Sequence, residues 1–147
     1  MKYIKKERRS GNNDERRYYH CNDLRDTYYY LLDWQKGEQM KKQQTQPITA
    51  YICSPYRGDT ARNVAYAREL VKEAIAWGFA PICPHLYLPQ ILDDDNPKER
   101  ETALRVGLEL LNGCSVLIVG TRYGISKGMQ DEIKRAHELD MAIHYHG

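Results

Sequence analysis

The segment from Gly124 to Glu132 combines a helix start with a carboxylate, a pairing that suits chemistry on an anionic substrate. It reads Gly-Ile-Ser-Lys-Gly-Met-Gln-Asp-Glu and follows the apolar run 116–119. A helix start offers free backbone N–H groups and a partial positive charge, which attract phosphates. Ser126 lies six residues before Glu132, and Gly128 permits close approach to the backbone. The alternative is a surface glutamate that only neutralises the helix dipole.

A second candidate anion site lies at residues 54–58, which read Ser-Pro-Tyr-Arg-Gly. Ser54 offers a hydroxyl, Arg57 a guanidinium and Gly58 an open backbone, just before a helix predicted to begin at Thr60. Together such groups can hold a phosphate. The spacing matches neither a Walker loop nor the glycine-rich fingerprint of dinucleotide-binding folds. The alternative is an ordinary turn with Arg57 in solvent.

The cysteines and the C-terminal histidines do not form a pattern typical of metal or disulfide sites. The four cysteines contain no C-x-x-C pair, which argues against structural zinc and against a disulfide framework. We interpret them as reduced thiols, and those beside apolar runs as small buried hydrophobic residues rather than nucleophiles. His144 and His146 lack a third ligand nearby in sequence, so we interpret them as polar residues at a strand end. We therefore predict neither a metal nor a cofactor.

Alternating patterns from residue 48 onward predict the scaffold that positions these loops. Short apolar runs indicate strands, and apolar residues at helical spacing indicate helices. Strands are expected at 48–53, 79–83, 115–119 and 141–145, with helices at 60–77, 97–112 and 129–139. The first of these helices is expected to bury Val64, Ala67, Leu70, Val71, Ala74 and Ile75.

Strand and helix alternation predicts an α/β fold, a Rossmann-like or flavodoxin-like three-layer domain with a parallel sheet of four to five strands. Ligands bind beyond the carboxyl ends of such strands. That rule selects the loops 54–59, 84–96 and 120–128.

Residues 1–47 differ in character from the α/β domain predicted for 48–147. The net charge of the chain is +2, and its basic excess lies in the first third. We predict a polar basic arm over 1–22, an amphipathic helix from Asp23 to about Lys42, and a linker over 43–47. The helix face is expected to dock on the core or on another subunit. Interleaved Arg and Tyr in the arm would suit single-stranded nucleic acid, but the acids among them favour a solvated arm.

The composition argues against a membrane span, and the N-terminus does not resemble a secretory leader. No apolar run approaches the ~20 residues that a membrane helix needs. The charged N-terminus is not followed by the apolar stretch of a secretory signal. We therefore expect a cytoplasmic protein with no membrane contact.

Three short motifs resemble the nucleoside 2-deoxyribosyltransferase superfamily. The first two are Tyr-Ile-Cys-Ser-Pro-Tyr-Arg-Gly at 51–58 and Ala-Pro-Ile-Cys-Pro-His at 80–85. The third is Gly-Cys-Ser-Val-Leu-Ile-Val at 113–119, followed by Ser-x-Gly-x-x-x-Glu-Ile-x-x-Ala from Ser126. The resemblance covers residues 48–147 and is closest in pattern to 2′-deoxynucleoside 5′-phosphate N-hydrolases and to phage and bacterial relatives of this size.

The resemblance implies that Glu132 is a nucleophile acting on a (deoxy)nucleoside 5′-monophosphate. It would attack C1′, expel the base and form a covalent glycosyl-enzyme that water or another base resolves. Tyr51 would orient the glutamate. Ser126 would contact the 5′-phosphate, because members that act on free nucleosides usually carry an aspartate there. The substrate-binding residues implied are Ser54, Pro55, Tyr56, Arg57, Gly58, His85, Ser126, Gly128 and Met129.

One position departs from the family pattern. The family usually has an aspartate in the helix before the third strand, where it holds the sugar and assists the departing base, and this chain has Gly107 there. The run Asp93–Asp95 would supply a carboxylate instead, or else is a solvated stretch before a helix. A second hypothesis is therefore binding of a nucleotide or an ADP-ribose-type signal without turnover. Family members commonly form oligomers, so we also expect self-association.

Overall fold

Strands and helices alternate along residues 47–147 in the order that the apolar pattern predicts. The computed structural model describes residues 28–29 and 47–147, so the predicted arm, the linker up to residue 46 and most of the predicted N-terminal helix lie outside the described residues. The elements are β1 (Thr49–Cys53), α1 (Thr60–Ala76), β2 (Ala80–Ile82), α2 (Pro97–Asn112), β3 (Val116–Gly120), α3 (Lys127–Glu138) and β4 (Ala142–His146). Within the described part of the chain, no helix has the length and apolar character to cross a membrane.

The four strands form one parallel sheet in the order β2-β1-β3-β4. In the register of the sheet, Tyr51 on β1 lies beside Leu117 on β3 and Ile82 on β2. This confirms the predicted α/β fold, and the strand order is that of flavodoxin-like domains. The chain steps from β1 to β2 on one side and then crosses to β3 on the other. The crevice for a ligand therefore lies beyond the carboxyl ends of β1 and β3.

Alternate residues of the central strands enter two separate cores, which gives the domain three layers. Ala50 and Ile52 pack with α1 on one face of the sheet. Tyr51 and Cys53 face the opposite core, to which α2 and α3 contribute Leu111, Met129 and Ala136. The residues of β3 from 116 to 119 are completely buried. Burial on both faces explains why β3 appears in the sequence as an uninterrupted apolar run.

The buried face of α1 differs in part from the expected one. Ala67, Leu70 and Ala74 are buried as predicted, but Ile75 is 58% exposed. Tyr66 and Asn63 occupy the buried face instead. The amide of Asn63 donates hydrogen bonds to the carbonyls of residues 56 and 57, at 3.0 and 2.9 Å. A polar residue is buried there because those two bonds satisfy it.

Gly78 ends the turn after α1 and lies directly under the ring of Tyr28. Its φ of +90° is a conformation that glycine adopts without strain. A Cβ at this position would lie 2.8 Å from the Tyr28 ring. The same ring packs edge-on against Phe79 with centroids 5.2 Å apart. Tyr28 therefore docks on the α1 face of the core, as one of the two alternatives for the N-terminal helix predicts.

We expect Gly78→Ala to destabilise the protein by about 2 kcal/mol, since it adds a strained backbone and an overlap with the ring. Urea denaturation of the full chain measures this loss. In a Tyr28→Ala background the same substitution should cost about half as much, because only the backbone contribution remains. An equal cost in both backgrounds would show that Tyr28 does not pack on Gly78.

Candidate active site

A cavity of about 290 Å³ opens at the carboxyl edge of the sheet, where the predicted loops meet. All three loops contribute to its wall, together with one face of α2. The predicted site residues that line it are Tyr51, Tyr56, Arg57, His85, Ser126, Gly128, Met129 and Glu132. The loop prediction therefore located the cavity correctly.

Tyr51 and Glu132 form the innermost polar contact of the cavity. The hydroxyl of Tyr51 donates a hydrogen bond to Oε1 of Glu132 at 2.6 Å. Tyr51 is 1% exposed, and its burial, followed by the charge of Glu132, raises the pKa of Tyr51 well above its ordinary value. The hydroxyl therefore stays protonated and remains a donor. This bond fixes the orientation of the carboxylate.

Glu132 lies in the second turn of α3, not in the first turn as predicted. The helix begins at Lys127 rather than at Met129, which makes Glu132 its sixth residue. The dipole of a helix acts mainly within its first turn, so neutralising that dipole does not account for the position of Glu132. The second oxygen, Oε2, is buried and has no hydrogen-bond partner. A buried carboxylate oxygen without a donor is costly for folding and indicates a functional group.

The thiols near this carboxylate are not candidate nucleophiles. Cys53 is completely buried, and its pKa is raised well above the ordinary value, first by burial and then by the charge of Glu132. Burial raises the pKa of Cys83 to about 12 and that of Cys114 to about 11. Thiols with such pKa values stay protonated at neutral pH. The interpretation as small buried residues is confirmed for Cys53 and Cys83, whereas Cys114 is only partly buried and Cys21 lies outside the described residues.

Ser126 caps the start of α3 at the mouth of the cavity. Its Oγ accepts a hydrogen bond from the backbone N–H of Met129 at 3.3 Å. The sulfur of Met129 accepts one in return from the N–H of Ser126 at 3.4 Å. A hydroxyl that accepts one bond still has its proton to donate. Ser126 can therefore serve the helix and a bound anion together.

Arg57 is held by the second loop, although its side chain is 54% exposed. Its Nε donates to Oδ2 of Asp94 at 2.6 Å, and its NH2 group donates to the Asp94 carbonyl at 2.5 Å. Asp94 also accepts hydrogen bonds from Arg100 at 3.0 Å. In the acidic run over residues 93–95, the side chain of Asp95 is 99% exposed. The expectation of a solvated acidic stretch is therefore right for Asp95 and wrong for Asp94.

Three predicted residues of the first loop do not line this cavity. Ser54 is fully buried, with its hydroxyl beside the thiol of Cys83, and Pro55 is buried next to it. Gly58, with φ +92°, lines an adjoining cavity of about 480 Å³ instead. The chain turns away from the sheet edge after Cys53, which buries the first two residues of the loop. The phosphate contact expected from Ser54 has no support in this arrangement.

Gly107 faces the Tyr51–Glu132 pair from α2. A Cβ at this position would lie 3.1 Å from the Tyr51 hydroxyl and 4.0 Å from Oε1 of Glu132. A side chain here would therefore reach the pair directly. The position singled out from the sequence is correctly located at the site, and its glycine leaves the pair without a third polar group from α2.

Part of the cavity lining is apolar and was not predicted. Leu88, Leu92 and Leu104 form this part. Beside them, the ring of Tyr56 packs against the imidazole of His85, with centroids 5.5 Å apart and planes tilted by 33°. Apolar residues in the long second loop, including Leu88 in a short 3₁₀ turn, were the available signal. A flat ring would find apolar contact at these residues.

Other candidate residues lie elsewhere in the fold. His144 and His146 are on β4 and are not among the lining residues, and Nε2 of His146 lies 2.9 Å from a carboxylate oxygen of Glu73. In residues 28–29 and 47–147, no three His, Cys, Asp or Glu side chains form a group that could hold a metal ion.

Comparison with known families finds a family model that matches most of the described residues. The family model described as Domain of unknown function (DUF7768) matches residues 48–146. That stretch runs from the residue before β1 to the last residue of β4. No curated protein matches the chain.

Proposed function

We propose a reaction at a glycosidic bond for this chain, which belongs to the family described as Domain of unknown function (DUF7768). The reaction is cleavage or transfer at the N-glycosidic bond of a (deoxy)nucleoside 5′-monophosphate. The observation that carries the proposal is the Glu132 carboxylate, which Tyr51 holds at 2.6 Å inside the cavity. The volume of about 290 Å³ is near the lower end of ligand cavities, roughly 300–1,000 Å³. The resemblance of the motifs to the deoxyribosyltransferase superfamily supports the same substrate class.

The proposed chemistry has two steps at C1′ of the sugar. In the first, a carboxylate oxygen of Glu132 forms a bond to C1′ while the bond from C1′ to the base nitrogen breaks, and the base leaves with the electron pair. In the second, water or another base attacks C1′ and releases the carboxylate. Oε1 accepts the Tyr51 hydrogen bond, which fixes the orientation of the carboxylate.

The departing base needs a proton, and we assign its delivery to His85. Gly107 supplies no acid, and Asp94 is bound to two arginines. Glu99 accepts hydrogen bonds from the N–H of Asp93 and the amide of Asn96. The ring of His85, by contrast, lines the cavity, and because its Nδ1 is buried, the proton would come from Nε2. Imidazole can donate a proton from either nitrogen, which suits this role.

We expect His85→Phe to lower kcat for base release by about 10²-fold while changing KM little. The phenyl ring preserves the packing against Tyr56 but cannot donate a proton. A deoxynucleotide whose base is N7-methylguanine tests the cause, because that cationic base leaves without protonation. With this substrate the variant should approach the wild-type rate. An equal loss with both substrates would indicate that His85 only shapes the cavity.

Gly107 favours a second candidate function, which is binding of a nucleotide or an ADP-ribose-type signal without turnover. The glycine leaves the Tyr51–Glu132 pair without an acid from this helix. Members of the nucleoside 2-deoxyribosyltransferase superfamily, which the motifs resemble, usually have an aspartate at this position. Incubation with each deoxynucleoside 5′-monophosphate, followed by chromatography for free base, separates the two functions. Nucleotide binding by calorimetry without any base release would favour the binding protein. Base release that depends on Glu132 would exclude it.

A further inference from the structure

Asp94 brings the second loop into contact with two arginines of the cavity wall. Its carboxylate accepts hydrogen bonds from Arg57 at 2.6 Å and from Arg100 at 3.0 Å. The side chains of Arg57, Asp94 and Arg100 are 54%, 27% and 34% exposed, so solutes can reach all three. Guanidinium groups converging on one oxyanion are an arrangement by which proteins bind phosphate.

The Arg57–Asp94 pair also divides two neighbouring cavities. Both residues line the cavity of about 290 Å³ that contains Glu132. Both also line the cavity of about 480 Å³ near Gly58 and Thr60, at the start of α1. The ion pair, together with the hydrogen bond from Arg57 to the Asp94 carbonyl, is therefore part of the wall between the two cavities, to which Tyr56, Pro89, Leu92 and Asp93 also contribute.

We propose that Asp94 is an internal competitor for phosphate, which occupies Arg57 and Arg100 until the 5′-phosphate of the ligand displaces it. This rests on the proposed function for the identity of the ligand, but the competition itself does not require the cleavage step. A phosphate monoester carries almost two negative charges and three acceptor oxygens at neutral pH, against one charge on Asp94. It is therefore the stronger partner for two guanidinium groups. A nucleoside without phosphate has no group that can make this exchange.

The local structure lets Asp94 move without unfolding the loop. The N–H of Asp93 donates to a carboxylate oxygen of Glu99 at 2.6 Å, and the N–H of Asp95 donates to Oδ1 of Asp93 at 2.9 Å. Asn96 caps the start of α2. None of these bonds uses the side chain of Asp94. Because exposed ion pairs contribute little to stability, the exchange for phosphate has a small cost.

The test compares the full-length protein with Asp94→Asn, using Asp95→Asn as a matched control. Asp95 is the exposed neighbour, 3.9 Å from Arg57. Calorimetry at fixed ionic strength measures the Kd of a deoxynucleoside 5′-monophosphate, of the same deoxynucleoside and of inorganic phosphate. Asp94→Asn should bind both phosphate-containing ligands roughly fivefold more tightly and the nucleoside equally. The control should stay within about twofold of wild type for every ligand. Asp94→Ala is a second variant in case the asparagine protein folds poorly.

The inference and the proposed function fail in different ways. If phosphate binds the Asp94 variants no more tightly than wild type, or binds none of the proteins, Asp94 does not compete and the inference is overturned. That result leaves base release by the wild type unaffected. If no nucleotide binds but inorganic phosphate binds the variants more tightly, the competition stands and the nucleotide function fails.

Discussion

Glu132→Gln is expected to lower kcat for base release from a deoxynucleoside 5′-monophosphate by about 10³-fold or more. The amide keeps the size of the side chain, and its oxygen can accept the Tyr51 hydrogen bond that Oε1 accepts at 2.6 Å. It lacks the negative charge that makes the carboxylate a nucleophile. Initial rates of free base formation, followed by chromatography, measure the loss.

The same substitution separates a functional carboxylate from a structural one. Oε2 has no hydrogen-bond partner to lose, and the glutamine oxygen can still accept the Tyr51 bond. Urea denaturation of Glu132→Gln should therefore give a stability within about 1 kcal/mol of wild type. Tyr51→Phe is the matched control, since it removes the orienting bond but leaves the nucleophile, and it should retain measurable activity. A Glu132→Gln protein that is active, or that unfolds readily, would contradict the assignment.

Tyr66→Ala is expected to cost about 3–5 kcal/mol of unfolding free energy, the largest stability effect that we predict. Tyr66 is 1% exposed and packs against Gly120, where an added Cβ would lie 2.8 Å from its ring. Its hydroxyl donates to the carbonyl of His146 at 3.1 Å and accepts from the N–H of Arg122 at 3.3 Å. The side chain therefore joins α1 to the ends of β3 and β4.

Tyr66→Phe distinguishes packing from hydrogen bonding at this position. It keeps the ring against Gly120 and removes only the hydroxyl, so it should cost about 1–2 kcal/mol. Chemical denaturation of both variants gives the two values. Equal losses would show that the hydroxyl bonds dominate, and two negligible losses would contradict the packing described for α1.

Local signals were sufficient to predict several elements of the fold. The bounds of α2 match the predicted 97–112, because Asn96 caps the helix, Pro97 begins it and Gly113 follows its end. The apolar runs located the buried strands, and the rule for parallel sheets located the cavity. Each of these depends on residues that are close in sequence.

One error is local, and the others arose where distant contacts decide the outcome. The helix over 127–138 begins two residues before the predicted start at residue 129, because the sulfur of Met129 completes an unusual cap with Ser126. Tyr66 replaces Ile75 on the buried face of α1 because Gly120, far along the chain, leaves room for its ring. The pairing of Arg57 with Asp94 joins two loops, and neither loop predicts it alone.

The site was predicted through resemblance more than through spacing. Spacing alone left Glu132 open to a purely electrostatic role at a helix start. Its place in the second turn of α3 and its bond to Tyr51 remove that alternative. In the proposed function, Ser126 and Arg57 contact the phosphate. Two further residues take roles that the motifs did not assign to them. These are His85 as the acid and Asp94 as the competitor.

The central claim is that Glu132 forms a bond to C1′. The stereochemistry of the product tests this claim most directly. With methanol in the buffer, the second step gives a methyl deoxyriboside 5-phosphate, whose anomeric configuration NMR can assign. Two displacements at C1′ predict retention, hence the β-anomer from a β-nucleotide. The α-anomer would indicate direct attack by the solvent and would contradict a covalent role for Glu132. Formation of the β-anomer at an equal rate by Glu132→Gln would also contradict that role.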